Sequence, residues 1–153
     1  MERIVLDSHL DCNVILEAIF EISSGTIRGY KRFEGAESYL GIEALAQLGA
    51  YHVRYLCDFE KHAFLLGIKR CALSTEKRMN GPFRLAGELL GHGGSAFSYH
   101  LLASCAGVAA IEGEFLFGTV EYDETHFKKD VLREYFRKVF SRLRNASAAL
   151  ERT

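Results

Sequence analysis

The chain has 153 residues, 48% hydrophobic and 25% charged, which suits one globular domain and excludes a Pro-rich scaffold or wholesale disorder. Its formal charge of −1 excludes a protein that holds nucleic acid by bulk positive charge. That total conceals a split: residues 1–126 carry 11 Lys+Arg against 17 Asp+Glu, and residues 127–153 carry 8 against 3.

The first residues, Met1-Glu2-Arg3-Ile4-Val5-Leu6-Asp7, meet charges at once and hold no apolar core, so no signal peptide is expected. No apolar run approaches the roughly 20 residues of a membrane span. Cys12, Cys57, Cys71 and Cys105 are widely spaced, without C-x-x-C, and read as reduced, mostly buried thiols of a cytoplasmic protein. Neither zinc nor any other cofactor is called for by these spacings.

Residues 13–22 are rich in branched and aromatic side chains and read as a strand. Ser23-Ser24-Gly25 forms a turn, and residues 26–33 alternate apolar and polar as a half-buried strand does. Residues 39–56 have the length and the Leu, Ala, Gln and Glu content of a helix. Their apolar residues fall on every face, so the helix is expected to be buried all round, with Gly41 and Gly49 allowing close approach to strands. Four strand-length segments follow, at 62–73, 82–91, 95–105 and 107–120. The glycine-rich stretch Gly91-His92-Gly93-Gly94 has strand-like flanks and reads as a hairpin turn, not an oxyanion-hole loop. One apolar helix among consecutive strands predicts an α+β fold with an antiparallel sheet wrapped around it. Such a sheet leaves edges that must be covered or paired, and dimerisation is one solution.

Glu43 is the one formal charge between Tyr39 and Val53. A carboxylate in a helix apolar on every face is costly, and desolvation should favour its protonated form. Gln47, at i+4, can hydrogen-bond it. Glu43 is therefore the candidate general acid or base; the alternatives are a place at a subunit interface or a cap on a backbone group. His52 lies about 180° round the helix from Glu43 and cannot complete a dyad with it. His9, His92 and His100 have no motif around them, and His62 and His126 are expected to face solvent.

The run Leu40-Gly41-Ile42-Glu43-Ala44-Leu45-Ala46-Gln47-Leu48-Gly49 resembles the central-helix motif of the hotdog-fold 3-hydroxyacyl-[acyl-carrier-protein] dehydratases, of decanoyl and long-chain types. Leu65-Leu66-Gly67-Ile68-Lys69-Arg70 is similar to the strand after that helix, and Asn80-Gly81-Pro82 to the turn that follows. The resemblance spans residues 13–122 and implies a hotdog domain, usually dimeric through sheets joined edge to edge. It implies Glu43 as the catalytic acid and Gln47 as the glutamine that steadies it. In the family this acid works with a histidine from a G-H-F-P-G loop of the other subunit. Here Phe33-Glu34-Gly35-Ala36 aligns with the start of that loop, Ala36 stands in the histidine's place, and the loop is shorter and lacks both prolines.

Dehydration needs a base for the C2 proton, an acid for the departing hydroxyl, and donors for the thioester oxygen. Glu43 can serve one proton transfer. Gly35 and the helix N-terminus at Ser38-Tyr39 are the candidate substrate-binding positions, through backbone N–H groups. The pattern is similar to the His-less dehydratase-like subunits encoded beside true dehydratases in aryl-polyene and polyketide-type clusters of fatty-acid-like synthesis. A hotdog acyl thioesterase, which needs only one carboxylate and the helix N-terminus, is the alternative, as is a non-catalytic subunit pairing with an active dehydratase. Acyl carrier protein or acyl-CoA is the expected thioester source, within a homodimer or heterodimer.

Residues 123–153 fall outside the dehydratase core. Phe127, Val131, Leu132, Tyr135, Phe136, Val139, Phe140 and Leu143 form a helical apolar stripe, with Asp123 or Thr125 able to cap it. Lys128, Lys129, Arg133, Arg137, Lys138, Arg142 and Arg144 are expected on the other face. This basic helix could be solvated, could dock an acidic acyl carrier protein, or could rest on an anionic membrane surface.

Overall fold

The computed structural model describes residues 14–122 and 129–151. Along the chain these form β1 (Ala18–Ile22), β2 (Thr26–Ala36), α1 (Ser38–Leu56), β3 (His62–Leu73), β4 (Met79–Gly93), β5 (Ala96–Cys105), β6 (Val108–Val120) and α2 (Lys129–Glu151). The strands make one antiparallel sheet in the order β1-β2-β4-β5-β6-β3. Met1, His9, Cys12, the two cap candidates, His126, Phe127 and Lys128 lie outside the described residues.

Period-two patterning builds the core. Phe97, Tyr99, Leu101 and Ala103 of β5, with Ile111, Phe115 and Phe117 of β6, turn inward and are buried. Against them α1 lays Ala44, Leu45, Leu48, Gly49, His52 and Val53, all buried. A Cβ on Gly49 would stand 2.4 Å from the Phe117 ring, so the expected close approach of helix to sheet is made here. The β5–β6 connection is the pair Ala106-Gly107, with φ of 52° and 80°. Positive φ at both central residues is what a two-residue type I′ hairpin requires. Gly94, φ 59°, sits in the β4–β5 turn expected around residues 91–94.

The two outer strands meet different fates. α2 packs along β1, and Arg144 Nη1 donates to the Ile19 carbonyl at 3.1 Å. Among the described residues β3 pairs only with β6, with register shifts after Leu65 and Ile68, and it exposes Leu65, Leu66, Ile68 and Leu73.

Three expectations are corrected. The first strand begins at Ala18, because before it the Ile15 N–H is bonded to Gln47 of the helix and not to a neighbouring strand. Among the described cysteines none is fully buried: Cys57 and Cys105 are half-buried and Cys71 is exposed. Nor is α1 buried all round; one face is left open, as described next. No helix among the described residues is long and apolar enough to cross a membrane.

Candidate functional site

The open face of α1 carries Tyr39, Ile42, Glu43, Ala46, Gln47 and Ala50, one stripe at i, i+3/i+4 spacing. A cavity of about 490 Å³ runs along it. Val14 closes one side and Ala63, Phe64 and Leu65 of β3 another. The far end is formed by Tyr51, Arg54 and His62 with Tyr135 and Phe136 of α2. Glu43 contributes the only carboxylate among these lining residues.

Glu43 is exposed, so its own chain does not supply the dry surroundings that the sequence suggests. An all-round apolar helix shows that every face is to be covered, without showing which neighbour covers it. Here one face meets the sheet and the other waits on the cavity. Gln47 shares that cavity, and its Oε1 accepts the Ile15 N–H at 2.9 Å, tying the segment before β1 to the helix. Tyr39 lines the cavity mouth and is 61% exposed.

Ser38 and Gly35 stand elsewhere. Ser38 opens the helix after Glu37, which has extended backbone and no side-chain cap, and lines a second cavity of about 220 Å³ with Met79, Phe83 and Ile111. Gly35, at φ +68°, lines neither space; its N–H donates to Asn80 Oδ1 at 2.7 Å and its carbonyl accepts from Arg78. The five sequence-derived site residues are thus divided: Tyr39, Glu43 and Gln47 share one cavity, Ser38 faces another, and Gly35 anchors the β2–β4 ladder. Ser38 and Tyr39 still begin the helix, where backbone N–H groups have no intrahelical acceptor.

Two residues at the far end had other expectations. His62 is half-buried and lines the cavity instead of facing solvent; burial, and then the Arg54 charge, hold its pKa below the ordinary histidine value. Arg54, near the end of α1, is buried. Its guanidinium carbon lies 3.8 Å from the Phe136 ring centroid and 4.9 Å from that of Tyr51. Sequence offered one signal for Arg54: a lone cation on the same helical face as Glu43, eleven residues on.

His52 lies on the opposite side of α1, fully buried against Tyr99, as the helical angle requires. On the outer face of the sheet, His100 Nε2 meets Glu112 at 2.7 Å and Arg70 grips the same carboxylate with two N–H groups. The Arg70 hydrogen bond, helped by His100, holds the Glu112 carboxyl down at about 2. These groups are remote from the cavity, since residues 98–104 of β5 alternate faces and His100 points away from α1.

The basic helix is corrected in part. Lys129 and Arg133 form ion pairs with Glu60, Arg137 with Asp58, and Lys138 with Glu134. Most of its described cations are therefore engaged within the chain, three of them at the elbow that follows α1.

Known structures share this fold. The ApeI:P dehydratase heterocomplex of Xenorhabdus doucetiae aligns with a TM-score of 0.60 at 17% identity, over 74% of this chain and 86% of that one. The chain has the hotdog fold. A thioesterase of Haemophilus influenzae aligns at 0.61 and 8% identity, over 71% of this hotdog chain and 80% of its own. A putative thioesterase of Lactococcus lactis aligns at 0.56 and 12%, over 69% and 90%. No protein-family model matches the sequence, and no curated protein sequence does.

Proposed function

We propose that this hotdog chain binds acyl thioesters along the open face of α1, as a dehydratase-like subunit that pairs with a second chain through β3. One observation carries the reading. Glu43 and Gln47 stand on one wall of an apolar cavity whose other wall, Phe64-Leu65, belongs to the sheet's free edge strand. A strand added at that edge would extend the wall and shield Glu43, supplying the desolvation its own chain withholds.

The chemistry follows from what is present. Glu43 can take or return one proton next to an acyl group, and the N-terminal turn of α1 can stabilise negative charge on a thioester oxygen. Dehydration needs a second proton-transfer group, and positions 33–39 provide no histidine. In this reading a partner chain bearing that histidine completes the site, and the heterocomplex among the structural neighbours supports such pairing. Residues 1–122 form the acyl-binding unit and 123–153 an extension that closes its far end. Acyl carrier protein or coenzyme A presents the thioester in the cytoplasm of a fatty-acid or polyketide-type pathway.

A second reading, thioester hydrolysis, is favoured by Glu43 being the single carboxylate among the lining residues. One carboxylate that orients or deprotonates water is enough for hydrolysis.

Crotonyl and 3-hydroxybutyryl carrier-protein thioesters, offered to the chain alone and with a histidine-bearing homologue, separate these readings. Dehydration only in the mixture, lost with Glu43→Gln, supports the paired subunit. Hydrolysis by the chain alone, lost with the same variant, supports the thioesterase. If the chain neither binds nor turns over any of these thioesters under either condition, the acyl-thioester reading is wrong.

A further inference from the structure

Arg54 is 7% exposed, yet among the described residues no carboxylate lies within ion-pair distance of it. The acids nearest in sequence are spent on other cations: Asp58 on Arg137, and Glu60 on Lys129 and Arg133. The Arg54 guanidinium lies against the rings of Phe136 and Tyr51, which stand edge-on to one another. Along its edge, Nη2 donates to the Ala63 carbonyl at 3.3 Å, a long bond, and Nε has no acceptor. Nearby, the buried Tyr122 hydroxyl also lacks a partner.

A guanidinium cannot shed its charge to relieve burial, and a buried cation without a counter-ion is costly. Contact with aromatic rings leaves the N–H groups of the guanidinium's edge, the part that receives a carboxylate through parallel bonds, without an anion. Arg54 lines the cavity on which Glu43 stands. Eleven residues separate Glu43 from Arg54, about 16 Å along the helix, and the arginine side chain leans back toward the helix N-terminus. Between them the wall is mostly apolar, with Ala46, Ala50, Ala63 and Phe64, and Gln47 stands one turn from Glu43.

We propose that the Arg54 end of the cavity is an anion subsite, which selects acyl groups carrying a carboxylate at the end remote from the thioester. This rests on the acyl-thioester reading of the cavity and adds its substrate class: half-thioesters of dicarboxylic acids. The thioester lies at Glu43, the methylene chain against the alanines, and the free carboxylate on the Arg54 edge, with the Tyr122 hydroxyl close by.

Binding of pantetheine half-thioesters of octanedioic, decanedioic and dodecanedioic acid is to be compared with methyl-ended thioesters of the same lengths and with amide-ended ones, using the full chain. The acid-ended ligand of at least one length should bind about tenfold or more tighter than its methyl-ended and amide-ended counterparts. Arg54→Met should abolish that preference while methyl-ended ligands still bind. If methyl-ended ligands bind as well as acid-ended ones at every length, or Arg54→Met keeps the preference, the subsite is disproved and the acyl-thioester reading stands. If no thioester of any kind binds, both readings fall. Should Arg54→Met not fold, the ligand series on the unaltered chain still decides.

Discussion

The Tyr99 hydroxyl donates to His52 Nδ1 at 2.5 Å, and His52 Nε2 donates to the Ser23 carbonyl at 2.7 Å. Both ring nitrogens are thus used in the neutral form, and a proton on Nδ1 would force the Tyr99 hydroxyl to turn from donor to acceptor. Burial lowers the His52 pKa from its ordinary 6.5, the Ser23 hydrogen bond opposing it only in part. His62 is lowered too, by burial and by Arg54.

The consequence for stability has a definite sign. Between their depressed folded values and about 6.5, these histidines bind more protons in the unfolded chain than in the folded one. Stability is therefore full above pH 7.5 and falls as pH drops below about 6.5. Urea midpoints measured from pH 8 to pH 5.5 should decrease, and His52→Gln, which keeps a donor and an acceptor, should flatten the decline. A midpoint that stays constant over this range contradicts the assignment.

Gly49→Ala sets helix propensity against packing. In an open helix the change would stabilise by about 1 kcal/mol. Here the new methyl would stand 2.4 Å and 2.6 Å from atoms of the Phe117 ring, itself fully buried. A net loss of about 1–3 kcal/mol is expected from overpacking, read from chemical denaturation. A gain in stability would show that α1 does not ride this close to β6.

Ala106 holds φ 52° in the β5–β6 turn, a left-handed conformation that disfavours a Cβ-bearing residue unless its side chain can bond locally. Asn-Gly is the preferred pair for this hairpin. Ala106→Asn should stabilise the chain by about 0.5–1 kcal/mol without altering any cavity residue. Calorimetry showing a lower midpoint for the variant would contradict the turn geometry.

Leu66 is 52% exposed on β3, next to the half-exposed Ile68. If β3 is the pairing edge, the unaltered chain sediments with the mass of two chains or forms a mixed pair, and Leu66→Arg reduces it to one. A chain that runs as a single copy, alone and with a histidine-bearing homologue, refutes pairing at this edge.

Much of this architecture was legible in sequence because it is local. Residues 62–73 read as a strand and form β3 with those bounds; the helix read from 39 begins one residue earlier, at Ser38. The hotdog assignment rested on the resemblance of residues 40–49, 65–70 and 80–82 to a known family, and the structural neighbours bear it out. What escaped depends on distant parts of the chain. Asp58 and Glu60 neutralise Arg137, Arg133 and Lys129 across some seventy residues, so a helix that looks freely basic is largely paired. His62 and Arg54 join one cavity only because Phe136 and Tyr135 arrive from α2 to close it. Glu43 is exposed for a different reason: hydropathy tells that a face is apolar, and not whether its cover is in the same chain.

The hydrogen bond from Arg144 to the Ile19 carbonyl, made where α2 packs along β1, bears on how far such molecules can join. With α2 lying along β1, that end of the sheet offers no template to another strand. Each chain then has a valence of one. Two chains meeting through β3 consume the free edge of both, so growth stops at a closed pair and cannot continue into a fibre. Removing the C-terminal helix would raise that valence to two, and a protein that stops at a pair would become one able to polymerise.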